Sequence, residues 1–312
     1  MESGRGAEPG PDPRVAVCVA TRRRPQALAR LLGALDAQDQ RGFRMRVVVV
    51  DNDADASARP VCDALAARVS YPLDYALEKR RGIPQARNRA LARALGGDFA
   101  AFVDDDEVPE PGWLAELLRV QRRTGADAVA GPCLARFAEP PARWIAEGGF
   151  FERPRFATGE ERDVAFTHNA LVRCAALAAL PRLFDERLAL CGGSDVELFR
   201  RFARAGFRIV WADDARVHDV VPPQRARLGW ILRRARRVGA SNAWVERRHA
   251  PGARALSRVL AHGAACVLKA GLLLLLSPLR GRAAAARALH LACFGLGRLH
   301  GALGLLVEEY RD

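Results

Sequence analysis

Between residues 14 and 130, short apolar runs rich in Val, Ala and Phe alternate with segments whose apolar residues recur at helical spacing. The strand candidates are 15–20, 46–50, 73–77, 99–103 and 126–130, and the helix candidates between them are 25–37, 58–69, 83–95 and 111–123. Such alternation builds a mainly parallel sheet covered by helices. Pro25 suits the first turn of its helix, Thr21 stands in the cap region before it, and Gly96-Gly97 is placed to close the third helix. Each strand then ends at one common edge, and open α/β sheets bind ligands in the crevice beyond that edge. The polar residues there are Thr21 with Arg22 to Arg24, Asp51-Asn52-Asp53, Glu78 to Gly82, and Asp104 to Glu107.

Past Pro132 the periodicity fades into a stretch with Pro140-Pro141, Trp144, Gly148-Gly149 and Pro154, read as a substrate-side loop. Regularity returns at 166–172. The turn Cys191-Gly192-Gly193 opens a helix over 194–205, and a strand follows over 207–211. After Pro222-Pro223 the composition shifts. Arginines from Arg225 to Arg248 crowd a helical region and a strongly apolar tail follows. The expected organisation is a disordered tail over 1–13, one α/β domain over 14–221, and a basic and apolar helical region over 222–312.

Asp104-Asp105-Asp106 leaves the apolar run 99–103, so three acidic side chains stand at the exit of a buried strand, where their repulsion must be offset. A hard divalent cation, Mg²⁺ or Mn²⁺, offsets it, commonly through one or two carboxylates plus substrate phosphates. In isolation the triplet reads better as a solvated acidic turn. Its neighbours distinguish it.

The stretch Phe102-Val103-Asp104-Asp105-Asp106-Glu107-Val108-Pro109-Glu110-Pro111-Gly112-Trp113-Leu114 resembles the family 2 glycosyltransferases with the GT-A fold. So do Val15 to Thr21 with Arg24-Pro25, Val47 to Val50 with Asp51-Asn52, and Gly82-Ile83-Pro84-Gln85-Ala86-Arg87-Asn88. Downstream, Phe184-Asp185-Glu186, then Cys191-Gly192-Gly193-Ser194-Asp195-Val196-Glu197-Leu198, is similar to the family's segment carrying the catalytic base. Ser194 stands where the first acid of a pair is usual, and Asp195 keeps the base position. The resemblance implies a single GT-A-type, Rossmann-like domain over 14–221. It also implies a nucleotide-sugar donor, most simply a UDP-sugar, held by Thr21, Arg24, Asp51, Arg81, Arg87, Asp104 and Asp105. Asp51 reads the base in this picture, Asp106 anchors the metal, His218 approaches metal or diphosphate, and transfer proceeds with inversion. His168, Asn169 and Trp113 are the expected acceptor-side residues.

The net charge of +13 attracts anions, and only Lys79 and Lys269 are lysines, so the charge is nearly all guanidinium, suited to bidentate phosphate contacts. The basic runs hold few aromatics and no recognised binding motif, which argues against a nucleic-acid partner. No G-x-G-x-x-G follows the first strand, which excludes a nicotinamide-dependent dehydrogenase. Seven cysteines without a C-x-x-C pair suggest reduced core thiols of a cytoplasmic protein. The tail segments 264–279 and 283–307 are apolar but interrupted, and Arg287, His290 and Arg298 share a narrow arc, as on an amphipathic helix lying in a membrane interface. The expectation is an enzyme peripherally bound to the inner face of the cell membrane, acting on a glycan or lipid-linked acceptor in surface polysaccharide synthesis. A noncatalytic nucleotide-sugar-binding homologue and a basic nucleic-acid-binding protein are the competing readings.

Overall fold

The computed structural model describes residues 12–308. Most of the expected tail over 1–13 lies outside the described residues, and Pro13 is tied in, its carbonyl accepting the Arg44 N–H at 2.8 Å.

The alternating half comprises β1 (Arg14–Thr21), α1 (Pro25–Asp36), β2 (Arg44–Asp51), α2 (Arg59–Ala66), β3 (Leu73–Leu77), α3 (Ile83–Ala94) and β4 (Phe99–Phe102). Next come β5 (Glu107–Pro109), α4 (Trp113–Thr124), β6 (Ala128–Ala130), β7 (Cys133–Phe137), α5 (Arg143–Ala146) and β8 (Glu161–Arg162). Then follow β9 (Ala170–Arg173), α6 (Cys174–Ala178), α7 (Ser194–Arg204), β10 (Ile209–Trp211) and β11 (Val217–Val221). The chain ends with α8 (Leu228–His249), α9 (Ala253–Leu275) and α10 (Ser277–Ala302), the last broken at Gly281.

Among the described residues one sheet has eight strands in the order β3-β2-β1-β4-β9-β6-β10-β8. β3, β2, β1 and β4 run parallel, as do β6 and β10. β9 lies antiparallel between β4 and β6, a reversal that periodicity does not disclose. A smaller sheet, β5-β11-β7, stands beside it. β1 shows why the large sheet is buried on both faces. Its Val15, Val17 and Val19 join the leucines of α1 and α4 in one core, while Ala16 and Cys18 join α3 and α7 residues in the other.

Two local expectations are corrected. Thr21 does not cap α1, whose N-cap is Arg24; its hydroxyl is taken by Asp105. Gly96-Gly97 does not form a left-handed cap either, since α3 ends at Ala94 and neither glycine has positive φ. A Cβ on Gly97 would stand 3.1 Å from the Arg14 carbonyl, so the close approach of β1 accounts for glycine there.

α8 and α10 meet backbone to backbone. A Cβ on Gly297 or Gly301 would fall 2.0 or 2.1 Å from the carbonyls of Arg236 and Ala240. The expected polar arc of α10 is split: Arg298 is buried against Glu246 at 2.7 Å and His290 packs on Phe150, while Arg287 stays exposed and donates to the Glu147 carbonyl at the surface. The arc therefore does not face water as a unit, since Arg298 serves a group inside the molecule and only Arg287 remains at the surface. α9 instead carries the exposed apolar face, with Leu268 75%, Leu272 60% and Leu275 79% exposed and Leu279 beyond it at 89%. By length and composition α9 is apolar enough to cross a membrane, with Lys269 interrupting it as the sequence reading has it.

Candidate active site

A cavity of about 920 Å³ opens beyond the carboxyl ends of β1, β2 and β4. Thr21, Arg24, Arg81, Arg87, Asp104, Asp105, Asp106, His168 and Asp195 all line it. The common edge of the parallel strands brings the first seven together across more than 80 residues of sequence.

The acidic turn after β4 is held by cations and hydroxyls. Asp105 is buried; its Oδ2 accepts the Thr21 hydroxyl at 2.8 Å and its Oδ1 accepts an Arg24 N–H at 3.0 Å. Asp104 Oδ1 accepts from Arg87 at 2.9 Å. Asp106 Oδ2 accepts from Arg24 at 3.0 Å and from Arg225 at 2.6 Å. Beneath them Glu107 accepts the Asp104 N–H and the Cys133 thiol. Burial pushes the Asp105 carboxyl up to about 6, Asp106 and Asp104 adding to the effect and Arg24 and Thr21 opposing it. Burial raises the Glu107 carboxyl well above its ordinary range, again helped by Asp104 and Asp106. Asp104 is raised by desolvation, then by the charges of Asp106 and Asp195, with Arg87 opposing. Asp195 thus stands close enough across the cleft for its charge to be felt at the acidic turn.

Asp195 is placed by two successive left-handed glycines, Gly192 (φ 69°) and Gly193 (φ 85°), which turn the chain into α7. Its Oδ1 accepts the Val196 N–H at 2.8 Å. α8 lies directly behind this turn. A Cβ on Gly192 would meet Arg237 Nη1 at 2.2 Å, and one on Gly193 would meet Ser241 Cβ at 3.0 Å. Both positions favour glycine for conformation, and at Gly193 the close Ser241 Cβ limits space as well.

His168 receives an Arg153 N–H on Nδ1 at 2.8 Å and stacks on Phe166. Burial, and then the charges of Arg153, Arg87 and Arg234, hold its pKa well below the usual imidazole range, so the ring is neutral.

Four expected site residues are not presented to the cleft. Asp51 is fully buried, its carboxylate accepting the N–H groups of Asp53 and Ala58 and the Tyr75 hydroxyl. Its neighbour Asn52 lines the cleft instead, accepting the Gly82 N–H and donating to the Glu78 and Arg80 carbonyls, which clamps the loop before α3. Trp113 and Asn169 bind each other in the core at 2.8 Å, and Asn169 also donates to the Pro132 and Ala215 carbonyls, so this pair is a structural clasp. His218 turns to Glu110 at 2.9 Å; strand alternation gives the cleft face of β11 to Asp219.

Other cleft residues lay outside the sequence expectation: Arg225, Asp219, Arg153, and Trp230, Arg234 and Arg237 of α8. A signal existed for the last three. Trp230, Arg234, Arg237 and Ser241 recur at i, i+4, i+7 and i+11, one face of a helix.

A mainly parallel α/β sheet with an aspartate turn at its carboxyl edge, faced by an acidic helix start, is the architecture of the GT-A glycosyltransferases. The chain belongs to glycosyl transferase family 2, whose sequence signature matches residues 16–180. It is a glycosyltransferase. It is 36% identical over 302 residues to the succinoglycan biosynthesis protein ExoM of Rhizobium meliloti (strain 1021), covering 95% of each chain. Its fold is similar to that of the mannosyltransferase PcManGT from Pyrobaculum calidifontis in complex with GDP-Man and Mn²⁺. The TM-score is 0.63 at 22% identity, over 96% of this chain and 90% of that one. TarS residues 1–349 of S. aureus, in complex with UDP, align with a TM-score of 0.51 at 18% identity, over 96% and 93%.

Proposed function

We propose that this chain transfers a hexosyl group, with inversion, from a nucleoside diphosphate sugar to an acceptor hydroxyl, using Asp195 as the base. The carrying observation is that the Asp104–Asp106 turn and Asp195 face one another across a single arginine-lined cavity. In the reaction the acceptor O–H proton passes to the Asp195 carboxylate, the new bond forms at the anomeric carbon, and the bond to the diphosphate breaks with its electrons leaving on the phosphate oxygen. A positioned general base of this kind contributes roughly 10² to 10⁴ in rate. Thr21 and Arg24 fix Asp105, Asn52 sets the loop that carries Arg81, and Arg87 and Arg225 supply guanidinium charge beside the carboxylates. Asp51 supports this machinery from below rather than touching the base.

A divalent cation, Mg²⁺ or Mn²⁺, fits Asp104 and Asp106. Both offer hard oxygen donors at the cleft, and Asp106 already draws two guanidiniums, so positive charge is required there. Among the described residues no group of three or more His, Cys, Asp or Glu side chains is arranged for a metal, which agrees with an ion that completes its shell from water and diphosphate. When bound, it would neutralise charge on the departing diphosphate as a Lewis acid.

The similarity to a succinoglycan biosynthesis protein supports a role in polysaccharide synthesis, with a UDP-sugar as the first donor to try. The exposed leucines of α9, together with the arginines around them, support attachment of the enzyme to the cytoplasmic face of the membrane and a lipid-linked acceptor. Incubation with a panel of UDP-, GDP- and dTDP-sugars with Mn²⁺ should show hydrolysis of one donor class; no turnover of any donor, with or without metal, would overturn the catalytic reading.

A further inference from the structure

Beside the catalytic cleft lies a smaller cavity of about 180 Å³, walled chiefly by Phe150, Trp230, Ile231, Val238 and Phe294. The transfer chemistry does not use it. It shares Trp230, Arg234 and Val238 with the cleft, so the two spaces adjoin. Its size is that of cavities that admit a benzene-sized apolar guest. Its aromatic and aliphatic walls suit a sugar poorly, because buried hydroxyls without partners cost roughly 1 to 3 kcal/mol each in proteins.

The junction between the two spaces is cationic. Arg234 packs its guanidinium over the Trp230 ring at 5.1 Å, and Arg237 lines the cleft one turn further along α8. Planar guanidiniums bind phosphate oxygens in pairs. Trp230, Arg234, Arg237 and Ser241 share one face of α8, and Ser241 packs under Gly193, two residues before Asp195. From Trp230 to Ser241 this face spans about 16 Å. Along α8 the hole extends from Trp230 to Val238, Arg234 and Arg237 stand on the cleft side of that stretch, and Ser241, which supports the base, lies beyond it. At the cavity's far wall, His290 and Phe294 belong to α10, and nine residues separate His290 from the break at Gly281, about 14 Å of helix. Beside that break stand the exposed Leu275 and Leu279.

We propose that this cavity seats the first units of the isoprenoid chain of a lipid-linked acceptor, with Arg234 and Arg237 on its diphosphate and its glycan directed to Asp195. The assignment deepens the acceptor reading above and rests on it. Its physical basis is adjacency: an apolar hole, two guanidiniums at its junction with the cleft, and the Asp195 carboxylate in that cleft meet hydrocarbon, anion and hydroxyl on the ligand.

The test is calorimetric titration of the full chain with farnesyl diphosphate, inorganic diphosphate and farnesol. Farnesyl diphosphate should bind at least about tenfold tighter than either fragment, since each half of the site then contributes. Ala235→Trp and Val238→Phe, which fill the cavity, should weaken farnesyl diphosphate by about tenfold or more while leaving inorganic diphosphate unchanged. Arg234→Gln should weaken both anions. Farnesyl diphosphate no tighter than inorganic diphosphate, or indifferent to both filling variants, would overturn the assignment. So would loss of its binding in Asp106→Asn, which would place it in the donor site. If the filling variants fail to fold, a benzophenone-bearing farnesyl diphosphate should label residues 230–238 or 290–294 of the unsubstituted protein, and labelling elsewhere overturns the proposal. Failure of nucleotide binding with farnesyl diphosphate binding intact would count against the donor reading alone.

Discussion

Replacing Asp105 by Asn should make the protein more stable at neutral pH while impairing its handling of donor. The Asp105 carboxyl is buried and raised to about 6 from an ordinary 3.8. The folded state therefore holds this proton more tightly than the unfolded chain does. The associated stability is complete below the unfolded value and is lost as pH rises through the folded one. At about 1.4 kcal/mol per unit, ionised Asp105 costs up to about 3 kcal/mol above the folded pKa. Attraction from Arg24 is already contained in that shift, so the figure is a net one. Asn has no proton to lose, its one amide oxygen can still accept the Thr21 hydroxyl, and Arg24, which loses its acceptor at this position, keeps Asp106. Urea unfolding in metal-free buffer should show Asp105→Asn more stable than the parent at about pH 7.5 and equal to it at about pH 4. An equal gain at both pH values, or a loss at the higher one, would refute the electrostatic reasoning. A stabilising substitution at a buried acid marks a group retained for function at the expense of stability.

Three further outcomes follow from the geometry. Asp195→Asn should lower kcat by about 10² to 10⁴ with donor KM little changed, measured in a transfer or donor-hydrolysis assay; an equal fall in donor affinity would assign Asp195 to donor binding instead. Gly192→Ala must hold an alanine at φ 69° and push the Arg237 guanidinium aside, so it should destabilise by about 1 to 2 kcal/mol in thermal unfolding and depress kcat through Asp195. Leu272→Asp with Leu275→Asp should abolish cosedimentation with anionic vesicles at a stability change within about 0.5 kcal/mol each, because both side chains are exposed and touch no core.

The parallel half of the fold was legible because each of its strands and helices has its own period, and the crevice rule then collected Thr21, Arg24, Arg81 and the three aspartates without knowledge of contacts, the family resemblance adding Arg87. What was not legible depends on partners. β9 reads as an ordinary apolar run, and nothing in it states that it will pair antiparallel between β4 and β6. Asp51 and Asn52 are adjacent polar residues at one strand end, and which of them turns inward is set by the Ala58 N–H and the Tyr75 hydroxyl. His218 and Asp219 differ by one residue and so by face, and only the register of β11 against β5 and β7 selects Asp219 for the cleft. Trp113 after a Pro-Gly turn looks available, yet its ring fills the core and its N–H needs Asn169. The arginines beyond Pro223 read in the sequence as a basic run on a helical region. Arg225, Arg234 and Arg237 instead line the cleft, because α10 presses α8 against the catalytic turn through Gly297 and Gly301.

The account stands on the acidic turn being the place where a donor diphosphate is held with a divalent ion. Calorimetric titration of UDP, with GDP in parallel, into the parent and into Asp106→Asn tests this directly. With Mn²⁺ one nucleotide should bind the parent, chelation should remove that binding, and Asp106→Asn should weaken it by at least about tenfold, or 1.4 kcal/mol. Metal-dependent binding of unchanged affinity in Asp106→Asn would contradict the account.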